Sequence, residues 1–240
     1  MRLAFDVGMH NGDDTDYFRK KGFRVVAVEA MPTFVESAAA RFHEDIVAQN
    51  VILEHVGIAE GDGEATFFIN PKNTVQSSFV PKDSADWQPV KVRTVSLSTL
   101  LQKHGTPDLL KIDIENYDLI ALDSLIEVGA FPKYISCEAH RIDVVLKLWS
   151  MGYRRFRLIN GRSVPRVFGK RTIVDVNGAE HIYRFRRHSS GPYGNDISEF
   201  PWVDIEKIMM IWSVRREALG RGWFDVHAAL PETAEDMFLG

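Results

Sequence analysis

Residues 3–29, "LAFDVGMHNGDDTDYFRKKGFRVVAVE", decide the fold. Two apolar runs, at residues 3–7 and 23–28, flank a polar stretch in which aspartates come before lysines. Apolar runs of this length, bounded by glycine and polar residues, predict buried strands. Early acids, later lysines and a closing Gly22 predict a helix over residues 13–21, because this order of charge complements the helix dipole. The segment therefore predicts a strand, a helix and a second strand.

The same alternation continues along the chain. Apolar runs predict further core strands, and polar or capped segments between them predict helices; the runs lie at residues 51–59, 108–115, 133–139 and 153–159. Strands that alternate with helices favour a parallel sheet with right-handed crossovers. Residues 60–69 predict an inserted hairpin, and Asn177–Gly178 predicts a second hairpin. Residues 70–89 predict a long loop.

Composition limits the class of protein. The chain has 240 residues, of which 45% are hydrophobic, and a net charge of −4. That size suits one large domain, and the charge argues against a dedicated nucleic-acid binder. No apolar run is long enough to span a membrane, and no signal segment is evident. With a single cysteine, Cys137, we expect a cytoplasmic protein without a disulfide framework.

The first turn predicts a ligand site. Ligands of doubly wound sheets bind outside the carboxyl ends of the strands. Gly8 and Gly12 allow close backbone approach, and the following helix offers free N–H groups. Glu29 lies 17 residues after Gly12, close to the spacing at which an acid accepts hydrogen bonds from a ribose. Asp6 would repel a pyrophosphate but would suit the ammonium and sulfonium of S-adenosylmethionine.

Charged residues also end two later strands. Alternation places Lys111, Asp113 and Glu115 on one face, and Glu138 and His140 on one face of the next strand. Both groups point to the ligand edge. They are candidates for binding the methionine part of the cofactor and for removing a proton from an acceptor. The alternatives are a structural ion-pair set for the first group and a helix cap for His140.

The sequence resembles the FkbM family of S-adenosylmethionine-dependent methyltransferases. The resemblance rests on "FDVGMHNG", "VVAVEAMPTFVE", "GIAEGDGEATFF", "QSSF" and, above all, "VSLSTLLQKHGTPDLLKIDIENYDLIALDSL". Asn116 stands where the family has glycine. The resemblance implies an α/β, Rossmann-like class I methyltransferase with a seven-stranded, mostly parallel sheet, an inserted hairpin and a C-terminal cap. We expect residues 1–187 to form the methyltransferase domain and residues 188–240 the cap.

The resemblance also implies roles for residues. The cofactor S-adenosyl-L-methionine would contact Asp6, Gly8, His10, Asn11, Gly12, Glu29, Ala30, Ile58 and Asp113. Asp113, Glu115 and His140 would be catalytic, with Glu115 or His140 as the base. The expected reaction is O-methylation of a hydroxyl of a sugar, glycan or related polar metabolite. The alternatives are a nicotinamide-dependent oxidoreductase and a non-catalytic cofactor-binding protein.

Two further segments bear on the acceptor. Residues 141–187 contain twelve Lys/Arg and three Asp/Glu, which predicts either a solvated basic surface or a wall for an anionic acceptor; Arg184 and Arg186 are the candidates on that wall. "HSSGPYG" and "WFDVHA" predict either a substrate lid or a C-terminal packing segment. In the first case Lys111, Ser190, Tyr193 and His227 would contact the acceptor.

A divalent metal ion is a further candidate cofactor. Oxygen and imidazole ligands suit Mg²⁺ or Mn²⁺, and candidate ligands are available near the predicted strand ends; they are Asp113, Glu138, His140, Asp225 and His227. Their irregular spacing forms no recognisable motif, so the sequence assigns no metal ligand.

Overall fold

A computed structural model of the chain describes residues 2–80, 86–197, 199–219 and 223–231. The strands are β1 (Leu3–Val7), β2 (Arg24–Glu29), β3 (Val51–His55), β4 (Gly57–Ile58), β5 (Gly63–Ile69), β6 (Gln88–Val95), β7 (Leu109–Ile112), β8 (Tyr134–Glu138), β9 (Arg155–Asn160), β10 (Lys170–Val174), β11 (Glu180–Arg184) and β12 (Phe224–Ala229). The α-helices are α1 (Asp13–Lys20), α2 (Pro32–Arg41), α3 (His43–Val47), α4 (Leu97–His104), α5 (Asp118–Val128), α6 (Ile142–Ser150), α7 (Val164–Val167) and α8 (Ile205–Leu219).

Seven strands form the central sheet, in the order β3-β2-β1-β7-β8-β12-β9. Every pair from β3 to β8 is parallel, and β12 runs antiparallel to both β8 and β9. The predicted α/β class and the seven-stranded, mostly parallel sheet are therefore confirmed. The carboxyl ends of β1, β2, β7 and β8 lie side by side at one edge of the sheet. The strand order reverses at β1, because β2 lies on one side of it and β7 on the other.

Alternation along each strand fills two cores, one on each face of the sheet. On β2, Val26 and Val28 belong to one cluster, whereas Val25 and Ala27 belong to the other. Cys137 on β8 is fully buried in the first cluster, as expected of a small apolar side chain. Because both faces are covered, the strands are apolar almost throughout, as parallel strands require.

The predicted hairpin at Asn177–Gly178 is present, whereas the one predicted over residues 60–69 is not formed as predicted, because β4 and β5 lie on opposite sides of β6 and do not pair with each other. β5 pairs antiparallel with β6, and β4 completes a three-stranded sheet beside the main one. β10 and β11 pair antiparallel around Asn177 and Gly178. The predicted third core strand, residues 51–59, is divided: β3 belongs to the main sheet and β4 to the small one. Part of the predicted loop, residues 81–85, lies outside the described residues.

The C-terminal segment also contributes to the sheet. β12 is inserted between β8 and β9, and Ile208 of α8 is buried in the same core as the strands. The predicted cap, residues 188–240, and the predicted domain, residues 1–187, thus share one sheet and one core. Residues 232–240 lie outside the described residues.

Candidate active site

A cavity of about 980 Å³ opens at the carboxyl ends of β1, β2, β7 and β8. Its volume is at the upper end of the roughly 300–1,000 Å³ typical of ligand sites. Nine of the fifteen predicted site residues line it: Gly8, His10, Glu29, Ala30, Ile58, Lys111, Asp113, Glu115 and His140. The other six predicted residues, Asp6, Asn11, Gly12, Ser190, Tyr193 and His227, are not among its lining residues.

The two glycines of the first turn are required by packing within the chain. Gly8 has φ 81°, and a Cβ there would lie 1.9 Å from the carbonyl oxygen of Asp113. Gly12, also left-handed with φ 76°, precedes α1, and its Cβ would meet the ring of Phe42 at 2.8 Å. Gly8 therefore lets the end of β1 approach the chain that follows β7. The sequence analysis predicted that both glycines make room for a ligand. The structure shows that Gly12 makes room for the ring of Phe42 instead.

Asp6 is neutralised by the chain itself. Its carboxylate is fully buried, 3.0 Å from Lys111 Nζ, and it accepts a hydrogen bond from Thr15 Oγ1 at 2.6 Å. Lys111 Nζ also donates to the Gly8 carbonyl at 3.0 Å and lies 3.5 Å from Asp14. Burial by itself lowers the pKa of Lys111, but the charges of Asp6 and Asp14 raise it overall. The structure thus pairs Asp6 with a lysine, where the sequence analysis paired it with the cofactor.

Lys111 was predicted to contact the acceptor. Its ammonium group is instead almost fully buried, with 4% of the side chain exposed, and its contacts are with Asp6, Asp14 and the Gly8 carbonyl. The alternative of a structural ion pair describes Lys111 better than substrate binding does.

Glu29 ends β2 at the cavity wall. Its Oε2 accepts a hydrogen bond from the His10 amide at 2.8 Å, and its Oε1 accepts one from the Met31 amide at 2.8 Å. The carboxylate is 9% exposed. Burial raises the pKa of Glu29, and the two amide hydrogen bonds oppose that shift. Both oxygens are therefore held in one orientation and keep a lone pair each for a ligand in the cavity.

The residues around Glu29 form an apolar wall. Ala30 and Ile58 are buried and line the cavity, together with Met31 and Phe34. The His10 ring packs on the Phe34 ring, with 4.2 Å between the centroids. A flat, apolar surface next to a fixed carboxylate suits a nucleoside, whose base is apolar on its faces and whose ribose donates hydrogen bonds.

His10 and Asn11 form the turn after β1. Burial, followed by the charges of His188 and Lys111, lowers the pKa of His10 to about 4, so its ring is neutral at physiological pH. Asn11 bonds with Asp13 through both its amide oxygen and its amide nitrogen, at 3.1 Å each. Asn11 therefore closes the turn ahead of α1 and does not reach the cavity.

An acidic cluster forms the opposite wall. Asp113 and Glu115 follow β7, Glu138 ends β8, and His140 comes two residues later. His140 Nε2 and Glu138 Oε2 lie 2.9 Å apart, but at angles that form no hydrogen bond. Burial, and then the charges of Asp113, Asp118 and Glu115, raise the pKa of Glu138 well above its usual range. Carboxylates gathered this closely favour a cationic ligand over a pyrophosphate.

The backbone turns sharply at this cluster. Glu115 has φ 46° and Asn116 has φ 76°, both in the left-handed region. Glycine and asparagine adopt that region most readily, which explains why asparagine can replace the family's glycine here. Glutamate does so at some cost, of the kind found at functional sites. β7 consequently ends at Ile112, three residues before the end of the predicted strand.

The three residues predicted to form a substrate lid lie in the core. Tyr193 and His227 are fully buried, and their rings stack with centroids 4.5 Å apart. His227 Nδ1 is 2.7 Å from the Tyr134 hydroxyl. The amide of Ser190 donates to the Asp14 carboxylate at 3.1 Å. The prediction that these residues contact the acceptor is corrected: β12 lies inside the sheet and carries His227 into the interior, so the C-terminal packing alternative applies.

Basic residues form the exposed side of the cavity. Arg141, Arg162 and Arg187 are exposed and line it. Arg184 and Arg186, the predicted pair, are not among the lining residues. The basic segment thus does reach the cavity, but through arginines from the loops and not from β11.

Sequence analysis assigned no role to the lining residues Phe79 and Thr74, and it considered Trp223 only as part of the segment "WFDVHA". Glu138 was singled out beside His140 and as a candidate metal ligand, but it was not among the predicted catalytic or cofactor-binding residues. Its position at the carboxyl end of a predicted core strand could have identified it as a residue of the site. Phe79 and Thr74 come from the long loop, whose path no periodicity predicts, and Trp223 reaches the cavity only because β12 joins the sheet.

The strand order, with one reversed strand beside the last, and a cavity at the carboxyl ends of β1 and β2 define a Rossmann-like, doubly wound α/β fold. The comparison with family models specifies the group. The chain belongs to the FkbM methyltransferase family, because the model of the methyltransferase FkbM domain matches residues 6–155. The resemblance noted in the sequence is therefore confirmed.

Three solved structures that are similar to the chain illustrate the likeness in fold. A methyltransferase FkbM from Methylobacillus flagellatus KT is 18% identical, with a TM-score of 0.45 over 65% of this chain and 39% of its own. A precorrin-6y C5,15-methyltransferase from Geobacter metallireducens GS-15 is 12% identical, with a TM-score of 0.42 over 95% and 80%. A SAM-dependent O-methyltransferase from Thermotoga maritima is 10% identical, with a TM-score of 0.42 over 95% and 59%.

This chain thus spans about 39% of the length of the Methylobacillus protein. No curated protein matches the sequence. The family assignment rests on the match over residues 6–155. Within the part of the chain that the structure describes, no helix combines the length and the apolar character needed to cross a membrane.

Proposed function

We propose that the chain transfers a methyl group from S-adenosylmethionine to a hydroxyl of a sugar, glycan or related polar metabolite. The observation that carries the proposal is the arrangement of Glu29 opposite the acidic cluster. One wall offers a fixed carboxylate beside an apolar surface, and the other offers Asp113, Glu115 and Glu138. A nucleoside joined to a cationic group matches both walls, whereas a dinucleotide would place its pyrophosphate among carboxylates.

The residues on each wall have distinct roles in this proposal. Glu29 accepts hydrogen bonds from the ribose, and Ala30 and Ile58 pack along the nucleoside. Asp113 binds the ammonium of the methionine part. The cofactor supplies an electrophilic methyl group on a sulfonium sulfur. The predicted contacts of Asn11 and Gly12 are not carried into the proposal, because Asn11 bonds within the first turn and Gly12 packs against the ring of Phe42.

The acceptor hydroxyl needs to lose a proton, since an alcohol is a weak nucleophile at neutral pH. In the transfer an oxygen–carbon bond forms, the sulfur–carbon bond breaks, and the hydroxyl proton passes to a base. Glu115 and His140 are the candidate bases. His140 is 37% exposed at the side chain and lines the cavity, so it is reachable from there.

The arginines at the exposed side favour an acceptor that carries a negative charge. Arg141, Arg162 and Arg187 are separated in sequence but line one cavity. Arg141 is already paired with Asp143 at 2.8 Å, which leaves Arg162 and Arg187 as the candidate contacts. A uronic acid or a nucleotide-linked sugar has the required combination of hydroxyls and anionic groups. The expected absence of a nucleic-acid partner and the cytoplasmic location stay predictions.

Calorimetry with S-adenosylhomocysteine and with NADH, side by side, tests the proposal. We expect S-adenosylhomocysteine to bind in the micromolar range and NADH not to bind. The variant Glu29→Ala should weaken binding by about 1.5–3 kcal/mol, because charge-assisted hydrogen bonds are lost. Glu54→Gln is the matched control, since Glu54 lies on β3 and bonds with Lys103 and His104.

A second assay tests the reaction. Labelled S-adenosylmethionine is incubated with a panel of neutral sugars, uronic acids and nucleotide sugars, and the products are analysed by mass spectrometry for O-methyl ethers. NADH binding without S-adenosylhomocysteine binding would contradict the proposed class. Unchanged affinity in a folded Glu29→Ala variant would place the ribose elsewhere.

A further inference from the structure

Glu115, Glu138 and His140 converge from the ends of two neighbouring strands. Glu115 follows β7, and the other two residues end and follow β8, its parallel neighbour in the sheet. One ligand atom from each of the three lies within 4.8 Å of the other two. A divalent cation has bonds of about 2.0–2.6 Å to oxygen and nitrogen ligands, so its ligand atoms lie at most about 4–5 Å apart. The spacing therefore suits one ion.

A second observation points to a ligand at this place. Glu138 is 5% exposed, and its Oε2 accepts no hydrogen bond from any described residue. His140 Nε2 is buried as an atom and likewise makes no hydrogen bond. The two atoms lie 2.9 Å apart at angles unsuited to a hydrogen bond with each other. A buried carboxylate oxygen normally accepts a hydrogen bond or binds a cation, so a cation shared with His140 is a fitting partner for this oxygen.

Two basic residues that line the cavity are paired elsewhere. Lys111 lines the same cavity, but its ammonium contacts Asp6, Asp14 and the Gly8 carbonyl. Arg141 follows His140 directly, but its guanidinium pairs with Asp143.

We propose that Glu115, Glu138 and His140 bind one divalent transition-metal cation at the cavity wall. Two carboxylates and one imidazole leave coordination positions open, and all three residues line the cavity. The imidazole favours Mn²⁺ over Mg²⁺ or Ca²⁺, which prefer oxygen ligands alone. His227 and Asp225, candidates on the sequence, are not part of this site.

The role of the ion rests on the proposed function. An acceptor with an oxygen next to the reacting hydroxyl would chelate the cation through both oxygens. The cation would lower the pKa of the bound hydroxyl. In that case Glu115 and His140 serve as ligands, and the acidified hydroxyl would pass its proton to solvent water.

Metal binding can be measured without cofactor or acceptor. The full chain is treated with a chelator, desalted and titrated with Mn²⁺, and free Mn²⁺ is followed by electron paramagnetic resonance. We expect one bound ion per chain, and an excess of Mg²⁺ that displaces it only weakly. Glu138→Gln and His140→Ala should each weaken Mn²⁺ binding at least about tenfold. His181→Ala, a change on β11 at a residue that faces Asp175, should leave it unchanged.

His140 is partly exposed, so His140→Ala keeps the test valid even if Glu138→Gln fails to fold. Absence of Mn²⁺ binding, or equal binding by wild type and His140→Ala, overturns the metal site. Calorimetry of the metal-free protein with S-adenosylhomocysteine separates the two proposals. If S-adenosylhomocysteine binds and Mn²⁺ does not, the metal site is refuted and the proposed function stands. If Mn²⁺ binds at these residues and S-adenosylhomocysteine does not, the cation site stands and the proposed function fails.

Discussion

Lys111 Nζ lies 3.0 Å from Asp6 Oδ1, and the two residues are direct partners across the β1–β7 pair. Both are buried at the centre of the sheet, beneath the cavity that their strands help to form. Gly8, whose carbonyl accepts a hydrogen bond from Lys111, connects this pair to the cavity wall. The pair therefore supports the first turn, and disrupting it should affect folding before it affects ligand binding.

We predict that Lys111→Met lowers the free energy of unfolding by about 3–5 kcal/mol, since it leaves buried carboxylates without their cation. The double variant Asp6→Asn/Lys111→Met should lose less than the sum of the two single changes. Lys103→Met is the control: its partner is Glu54, but its side chain is 55% exposed, so its loss should be about 1 kcal/mol or less. Urea unfolding measures the stability of the four variants, namely Asp6→Asn, Lys111→Met, the double variant and Lys103→Met. A Lys111→Met loss no larger than that of Lys103→Met would show that the buried pair is not stabilising.

Gly8→Ala should be among the most damaging single-atom changes in the chain. The added Cβ would overlap the Asp113 carbonyl, and φ 81° is unfavourable for alanine. We expect a loss of roughly 3 kcal/mol or more from overpacking and backbone strain together. Gly61→Ala is the matched control, because a Cβ at Gly61 meets nothing within 4 Å. Thermal and urea unfolding should separate the two variants clearly. Equal stability would mean that the ends of β1 and β7 adjust to the methyl group.

His227 should make the folded state sensitive to acid. Burial, and then the charge of Arg157, lower the pKa of His227 to about 3. The unfolded chain, with a histidine pKa near 6.5, therefore binds the proton first, so the contribution of His227 to stability is constant above about pH 6.5 and falls below it. The expected loss is about 1.4 kcal/mol per pH unit between about pH 6.5 and 3.

Urea unfolding at pH 7.5 and pH 5.5 tests this dependence. His227→Gln should remove about 1.4 kcal/mol of the difference between the two pH values, whatever its own effect on stability. The same change at His43, an exposed residue of α3, should retain the difference seen in wild type. If the His227→Gln protein keeps the full acid sensitivity, other buried groups are responsible.

The basic side of the cavity predicts a preference for anions. Glucuronate, used as a probe of an acidic sugar, should bind more tightly than glucose, and its affinity should fall with ionic strength. Arg162→Ala and Arg187→Ala should each weaken glucuronate binding roughly two- to fivefold, as expected for exposed charge contacts. Arg184→Ala should have no effect, since Arg184 is exposed on β11 outside the cavity. Ligand-observed NMR is suited to these weak affinities. Equal binding of glucose and glucuronate would show that the basic segment is only a solvated surface.

The sequence analysis located the cavity because the features that define it are local. Apolar runs, their spacing and the polar residues that end them are adjacent in the chain. They predicted the parallel sheet, the strand ends that carry Glu29 and Asp113, and the hairpin at Asn177. Parallel strands all end at the same edge, so residues that end different strands meet there without any knowledge of the register.

The partner of a charged residue was not predictable in the same way. Asp6 is next to an apolar run and a glycine turn, which is equally consistent with a cofactor contact and with an ion pair. Its partner, Lys111, is 105 residues away, and only the register of β1 with β7 brings the two together. Once they are paired, Asp6 carries no free charge for a ligand.

What the sequence by itself determined is the fold class, the family and the strand ends that bear the chemistry, because these follow from local periodicity and short motifs. The tertiary structure decided which of the candidate residues face the cavity. β12 inserts between β8 and β9, so His227 becomes a buried core residue and Trp223 a residue of the cavity wall. The periodicity of such a strand predicts that it is a strand but not which strands it pairs with. Its neighbours depend on how the rest of the sheet is arranged, and that arrangement is not encoded near the strand in the sequence.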